Sequence, residues 1–262
     1  MTVTILTKTL RESRRALIGW TAGSTLAAVM YASFYPQMAK SGGQQVQNVP
    51  EGLREALRME DIASAPGYLG STVFGLIVPL LAMFFGAATG ARATAADEES
   101  GTLDLLMSYP ITRTSLILQR FGALAVAAAA ITAFIWLGML AIRGSAELTA
   151  ISPAQFAAQC LNVALLAVIF GALAVGLGAA FGRRAVVFAV TAVVGVLAYA
   201  AHAFAGQLGV KWVAYLSPFH YYLDGEPLRY GFQPVNIVVL LGVSTVLVAA
   251  GTYRFNHRDL GA

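Results

Sequence analysis

Residues 68–113 read YLGSTVFGLIVPLLAMFFGAATGARATAADEESGTLDLLMSYPITR, and the two halves of this stretch decide the fold. The first half, 68–89, contains no Asp, Glu, Lys or Arg. About 20 such residues as a helix cross a hydrocarbon core of about 30 Å. Helix is the conformation selected there, because backbone in lipid must satisfy its own hydrogen bonds. The second half, 97–113, is acidic at its start and amphipathic after it, and a second apolar run follows at 121–142. A connection between two packed helices needs only about 2–8 residues. This one is far longer and carries a helical pattern, so it reads as a segment built to contact something outside the membrane.

The same apolar signature recurs outward in both directions. The chain has 262 residues, 58% hydrophobic and only 11% charged, with mean hydropathy +0.69. Soluble domains carry about 25% charged residues, so these charges are too few to solvate an ordinary surface. Six segments reach spanning length: 16–35, 68–89, 121–142, 156–181, 185–205 and 235–253. The expected fold is an all-α membrane protein, a single transmembrane domain over 1–262 with six transmembrane helices. It carries an N-terminal interfacial helix at 2–15, a cytoplasmic coupling segment at 97–113, and outer loops at 36–67 and 207–233. The second of these loops is read as a re-entrant segment before the last helix.

An even number of spans places both termini on one side. Lys8, Arg11, Arg14, Arg15, Arg92, Arg113, Arg120, Arg183, Arg184, Arg254 and Arg258 share it, against Lys40, Arg54, Arg58, Arg143, Lys211 and Arg229 on the other. The positive-inside rule makes the richer side cytoplasmic, which predicts a multi-pass protein of the plasma (cell inner) membrane with both termini inside. The net charge of +4 follows from this asymmetry and gives no argument for nucleic acid. The basic N-terminus resembles a secretory signal, but its apolar run is too long and lacks a small-x-small cleavage site. It reads as an uncleaved first span.

Leu6 and Leu10 fall on one helical face of 2–15 with the basic residues elsewhere, which suits a helix lying on the inner interface. In the first outer loop, Pro50–Asp61 reads as a short helix with Glu51/Arg54 and Glu55/Arg58 at i,i+3 spacing. The second outer loop holds Trp212, Tyr215, Phe219, Tyr221, Tyr222, Tyr230 and Phe232. Aromatics with a polar handle favour the headgroup level. Pro218, Phe219, Tyr222, Asp224, Glu226 and Arg229 there form either an aromatic anchor or an outer gate over an exit path. Gly86-x-x-x-Gly90 and Ala174-x-x-x-Gly178-x-x-x-Gly182 place small residues where helices approach closely, as packing within the chain or as a dimer contact. Pro79 predicts a kink in the second span.

Several chemistries are absent. No Gly-x-x-x-x-Gly-Lys-Ser/Thr loop occurs, so the chain holds no ATPase motif of its own. Catalytic, cofactor and metal residues are all expected to be none. Cys160 is the only cysteine, and His202, His220 and His257 lie far apart along the chain. Cys160 reads as a small buried hydrophobe and His202 as a hydrogen-bonded structural residue. Glu98-Glu99 lacks the following arginine of paired-glutamate membrane proteases. The spans lack the Asp, Glu, Lys and Arg that ion-coupled carriers use, so a driving force from another protein is the expectation.

Within 97–113, Thr102 can cap a helix with Asp104 in its first turn. Leu103, Leu106 and Met107 make an apolar stripe, Pro110 ends the run, and Thr112 or Thr114 can cap the third span. The acids Asp97, Glu98 and Glu99 oppose a seat on anionic lipid, and docking into a protein groove fits better. At these residues the chain resembles the permease subunits of type-2 ABC exporters. The shared residues are Gly101, Thr102, Leu103, Asp104, Leu105, Leu106, Pro110, Ile111, Thr112 and Arg113, with the family glutamate falling on Asp97, Glu98 or Glu99. Ser217-Pro218-Phe219 before the outer segment and the six spans extend the likeness.

The resemblance implies a pathway made by two permeases, as a homodimer or with a paired permease, and two separate ABC ATPase subunits that bind ATP and magnesium. The coupling helix, 98–110, would sit in a groove of the ATPase through Glu98, Glu99, Gly101, Thr102, Leu103, Asp104, Leu106, Met107, Pro110 and Arg113. The chain itself would be non-catalytic. The apolar spans suggest a hydrophobic or amphipathic cargo, drug-like or lipid. The rival readings are a self-sufficient channel or secondary transporter, and a membrane anchor for an ATPase that moves nothing.

Overall fold

The computed structural model describes residues 5–41, 49–99 and 112–257. Six helices among them are long and apolar enough to cross a membrane: Arg14–Lys40, Ala65–Thr94, Arg113–Ile142, Pro153–Gly178, Arg184–Phe204 and Pro234–Asn256. In chain order these are the first to sixth spans. Each outlasts or matches its apolar run because a helix ends where its backbone finds caps, not where hydropathy falls. The fourth span is an example: Ser152 and Gln155 form a reciprocal capping box at its start, and Gly182 ends its helix with φ 61°.

The fourth span is the axis of the bundle. The second, third and sixth spans pack on it, the first leans on the third, and the fifth leans on the second. In its central window 78% of the fourth span is buried, against 17% for the first and fifth. The second span approaches it most closely. A Cβ at Gly86 would stand 2.2 Å from the Ala167 carbonyl oxygen, and one at Gly90 2.4 Å from that of Gly171. Only glycine permits that approach, so this Gly-x-x-x-Gly pair is packing within the chain. Cys160 is buried in the core, as its size predicts.

The second span is not α-helical throughout. Leu69–Ile77 is π-helix and Val78–Glu99 is α-helix. Pro79 therefore sits just past the junction, where the sequence placed a kink. Before the first span, Ile5–Glu12 forms a separate helix; it packs against the third span, with Leu6 Cδ1 3.4 Å from where a Cβ on Gly122 would stand.

Candidate functional site

The chain between the fifth and sixth spans folds back into the bundle. The Ser217 hydroxyl accepts the Phe219 N–H (3.2 Å) and donates to the Ala198 carbonyl (2.8 Å), which fixes the short helix Pro218–Leu223 to the fifth span. Phe219 and Tyr222 are fully buried. Phe219 packs on Phe170 and Tyr199, with ring centroids 5.8 and 5.2 Å away. The Tyr222 hydroxyl donates to the Phe74 carbonyl (2.8 Å) and the Tyr199 hydroxyl to the Gly75 carbonyl (3.1 Å). These two acceptors have a common origin. Pro79 has no N–H to offer the carbonyl four or five residues back, and those are Gly75 and Phe74. Two tyrosines from distant segments take the place of the missing donor.

Beyond Tyr222 lies a cluster of charge. Arg58, from the loop between the first two spans, donates to Asp224 Oδ1 (2.8 Å) and to Glu226 Oε1 (3.3 Å). Arg229 reaches Glu226 Oε2 (3.3 Å) and forms a second ion pair with Asp61. His202 Nε2 lies 3.4 Å from Asp224 Oδ1, and His220 Nδ1 2.5 Å from Asp224 Oδ2. Arg58 and Glu226 both adopt left-handed backbone, φ 55° and 43°. Such conformations cost non-glycine residues about 1–3 kcal/mol, and here the strained pair bind each other's side chains. A cavity of about 50 Å³ runs inward from Arg58, Glu226 and Arg229 to the buried side chain of Gln159. Gln155 closes the rim by donating to the Arg229 carbonyl (2.6 Å).

At the opposite, arginine-rich end, a second set of contacts ties four spans together. Glu99, the last residue of the second-span helix, accepts the backbone N–H of Arg184 (2.8 Å). That N–H is one of the orphan donors at the start of the fifth span. Arg113 donates to the Phe255 carbonyl (3.3 Å) and stands 6.0 Å from the Phe255 ring, a cation at the end of the sixth span's helix. Arg120 donates to the Ala93 carbonyl (2.7 Å). Thr112 caps the third span through the Ser115 N–H (3.2 Å), while Thr114 accepts from Asn256 (2.9 Å).

Of the residues read from the sequence as ATPase-coupling, Glu98, Glu99 and Arg113 fall on described helices. Gly101, Thr102, Leu103, Asp104, Leu106, Met107 and Pro110 lie outside the described residues. All six residues read as the outer gate fall in one region, but they divide: Pro218 opens the short helix, Phe219 and Tyr222 are buried packing, and Asp224, Glu226 and Arg229 carry the charge. Arg58, Asp61, His202 and His220 were missed as members. Their only sequence signal was polarity near a predicted span end, and the partners of Arg58 and Asp61 are 166 and 168 residues away.

The family model described as ABC-2 family transporter protein matches residues 3–260 of the chain. No curated protein matches it.

Proposed function

The chain belongs to the ABC-2 transporter family, and from that premise we propose that it is the permease of an ATP-driven exporter, coupled to two separate ABC ATPase subunits. The ATPases hold ATP and magnesium; a second permease, identical or paired, completes the pathway. Both termini face the cytoplasm of a plasma-membrane protein, and the cargo is hydrophobic or amphipathic.

The observation that carries this reading is the course of the second-span helix. At its outer end two tyrosine hydroxyls hold its π-helical segment. It then runs unbroken to Glu99, which bonds the start of the fifth span. From Glu98 onward the chain is the 98–110 segment whose sequence resembles a coupling helix, most of it outside the described residues. A displacement applied there reaches the second span through the covalent chain and the fifth through Glu99. The ATPases can drive this only if their contact differs in free energy between two states of the permease. An apolar stripe of Leu103, Leu106 and Met107 in a groove that opens and closes would supply that difference.

The test is purification of the tagged chain from its native membranes in mild detergent, with identification of what accompanies it. A stoichiometric ATPase is expected, lost on Leu106→Asp, with Leu103→Asp uncoupling hydrolysis from transport while the chain stays folded. A stable complex without any nucleotide-binding protein, or full transport by both variants, would overturn the proposal.

A further inference from the structure

The charged cluster at the outer end contains a donor set that its ion pairs leave partly unused. His202, on the fifth span, and His220 and Asp224, on and just after the helix Pro218–Leu223, each present one ligand atom, and the three atoms lie within 4.8 Å of one another. We propose that these three side chains form a binding site for a divalent transition metal of the zinc class.

Four features support the assignment. The spacing fits: two ligands about 2.0–2.1 Å from a tetrahedral ion stand about 3.3 Å apart, and His202 Nε2 is 3.4 Å from Asp224 Oδ1. Secondly, the second histidine already stands beside the carboxylate. His220 Nδ1 lies 2.5 Å from Asp224 Oδ2, yet it is not aligned to make a hydrogen bond with any group. A metal ion between the two groups would replace this contact, taking Nδ1 and the carboxylate as ligands after a small turn of the ring. Thirdly, the charge balance accepts a cation: in the ion pairs among the described residues, the three carboxylates of Asp61, Asp224 and Glu226 are matched by the two arginines Arg58 and Arg229. Arg58 already divides itself between Asp224 and Glu226, so it keeps a carboxylate partner when Asp224 turns to the metal. Fourthly, the ligands are held on one side and open on the other. His202 is 10% and His220 21% exposed, and Asp224 38%. His220 is wedged against Tyr215 and Tyr221, ring centroids 4.4 and 4.9 Å away. Solvent can supply the remaining ligand at Asp224.

The chemistry selects the ion. Two imidazoles and one carboxylate suit zinc, nickel, cobalt or copper, whereas magnesium and calcium want an all-oxygen shell. An ion here would bridge the outer end of the fifth span to the segment that buries Phe219 and Tyr222, and so clamp the folded-back chain.

The experiment uses the full chain in phospholipid nanodiscs, carrying no polyhistidine tag and stripped with chelator. Zinc is titrated calorimetrically, and cobalt by its visible absorption. One ion per chain is expected, with the intense cobalt bands of a tetrahedral nitrogen–oxygen site. His220→Ala and His202→Gln are each expected to weaken binding by at least about tenfold, since even outer-shell partners are worth that much. Asp224→Asn provides a third variant should His202→Gln not fold. His257→Ala, at the other end of the sixth span, should bind as the wild type does. No saturable binding by the wild type, equal binding by the ligand variants, or loss of binding in His257→Ala would each overturn the assignment.

Discussion

Tyr222→Phe is expected to destabilise the protein through one atom, and the size of the loss follows from Pro79. The substitution keeps the ring in its fully buried slot and removes only the hydroxyl that donates to the Phe74 carbonyl. Hydrogen bonds between membrane helices average about 0.6 kcal/mol because the loosened state finds other partners. Here the alternative is missing, since residue 79 has no N–H, and a buried unsatisfied carbonyl costs about 1–3 kcal/mol. We expect a loss of about 1–2 kcal/mol. At roughly 2–4 °C per kcal/mol for a chain of this size, thermal unfolding in nanodiscs should fall by roughly 2–8 °C. The decisive assay is a cycle with Pro79→Ala. The new N–H can bond the carbonyl of Gly75 or of Phe74, so one of Tyr199→Phe and Tyr222→Phe should lose most of its cost in that background. A coupling of about 1 kcal/mol is expected, well within what neighbouring groups show. If both tyrosine substitutions cost the same in the Pro79→Ala background as in the wild type, the proline does not explain the two hydroxyl contacts and the reasoning fails.

Two further outcomes follow from close contacts elsewhere. Gly86→Ala should cost about 1–3 kcal/mol, as overpacking does, because its Cβ would meet the Ala167 backbone at 2.2 Å. Gly19→Ala, with nothing within 4 Å, should be neutral or stabilising by up to about 1 kcal/mol; equal melting of the two variants would contradict this. Glu99→Ala should release the Arg184 N–H at a cost of about 1 kcal/mol, the size of a lost N-cap, whereas Glu99→Gln keeps an acceptor. Amide hydrogen exchange over the first turn of the fifth span should quicken in Glu99→Ala alone, and unchanged exchange there would refute the capping role.

The spans were legible in the sequence because the bilayer imposes one length and one composition on each, and no long-range knowledge is needed to see them. Gly86 and Gly90 were legible as close packing, yet the carbonyls they approach were not, since small residues show that a helix comes near without showing which. The 207–233 loop announced its aromatics but not their division. Phe219 and Tyr222 turn inward because Ser217 pins their helix to Ala198, a contact that spacing cannot reveal. Arg58 was read against Glu55 on one helix face. The structure ends that helix at Ala56 and turns Arg58 through left-handed backbone toward Asp224 and Glu226. The π-helix left no mark in the apolar pattern at all. Pro79, which leaves carbonyls before it without a donor, was visible, but the two tyrosines that take that place come from segments 124 and 148 residues away from the carbonyls they bond.

These contacts limit how the bundle could respond to a force on its arginine-rich end. Converting a π turn to an α turn changes the register by one residue, which rotates the rest of a helix by about 100°. The second span cannot make that rotation alone, because Gly86 and Gly90 would leave the Ala167 and Gly171 carbonyls and larger neighbours would take their place. The second and fourth spans must therefore move as one body. The fifth span is differently placed. It meets the second through Gly195 against the flexible Met83 side chain, and a short turn at Gly182 joins it to the fourth. Relative motion is easiest between that pair and the fifth span. Such motion would fall on the groups that bridge them at the end away from the arginine-rich one: the Tyr199 hydroxyl on Gly75, and Arg58 with His202 around Asp224. Long, partly exposed side chains there can exchange one carboxylate for another, whereas the buried backbone contacts between the second and fourth spans cannot stretch.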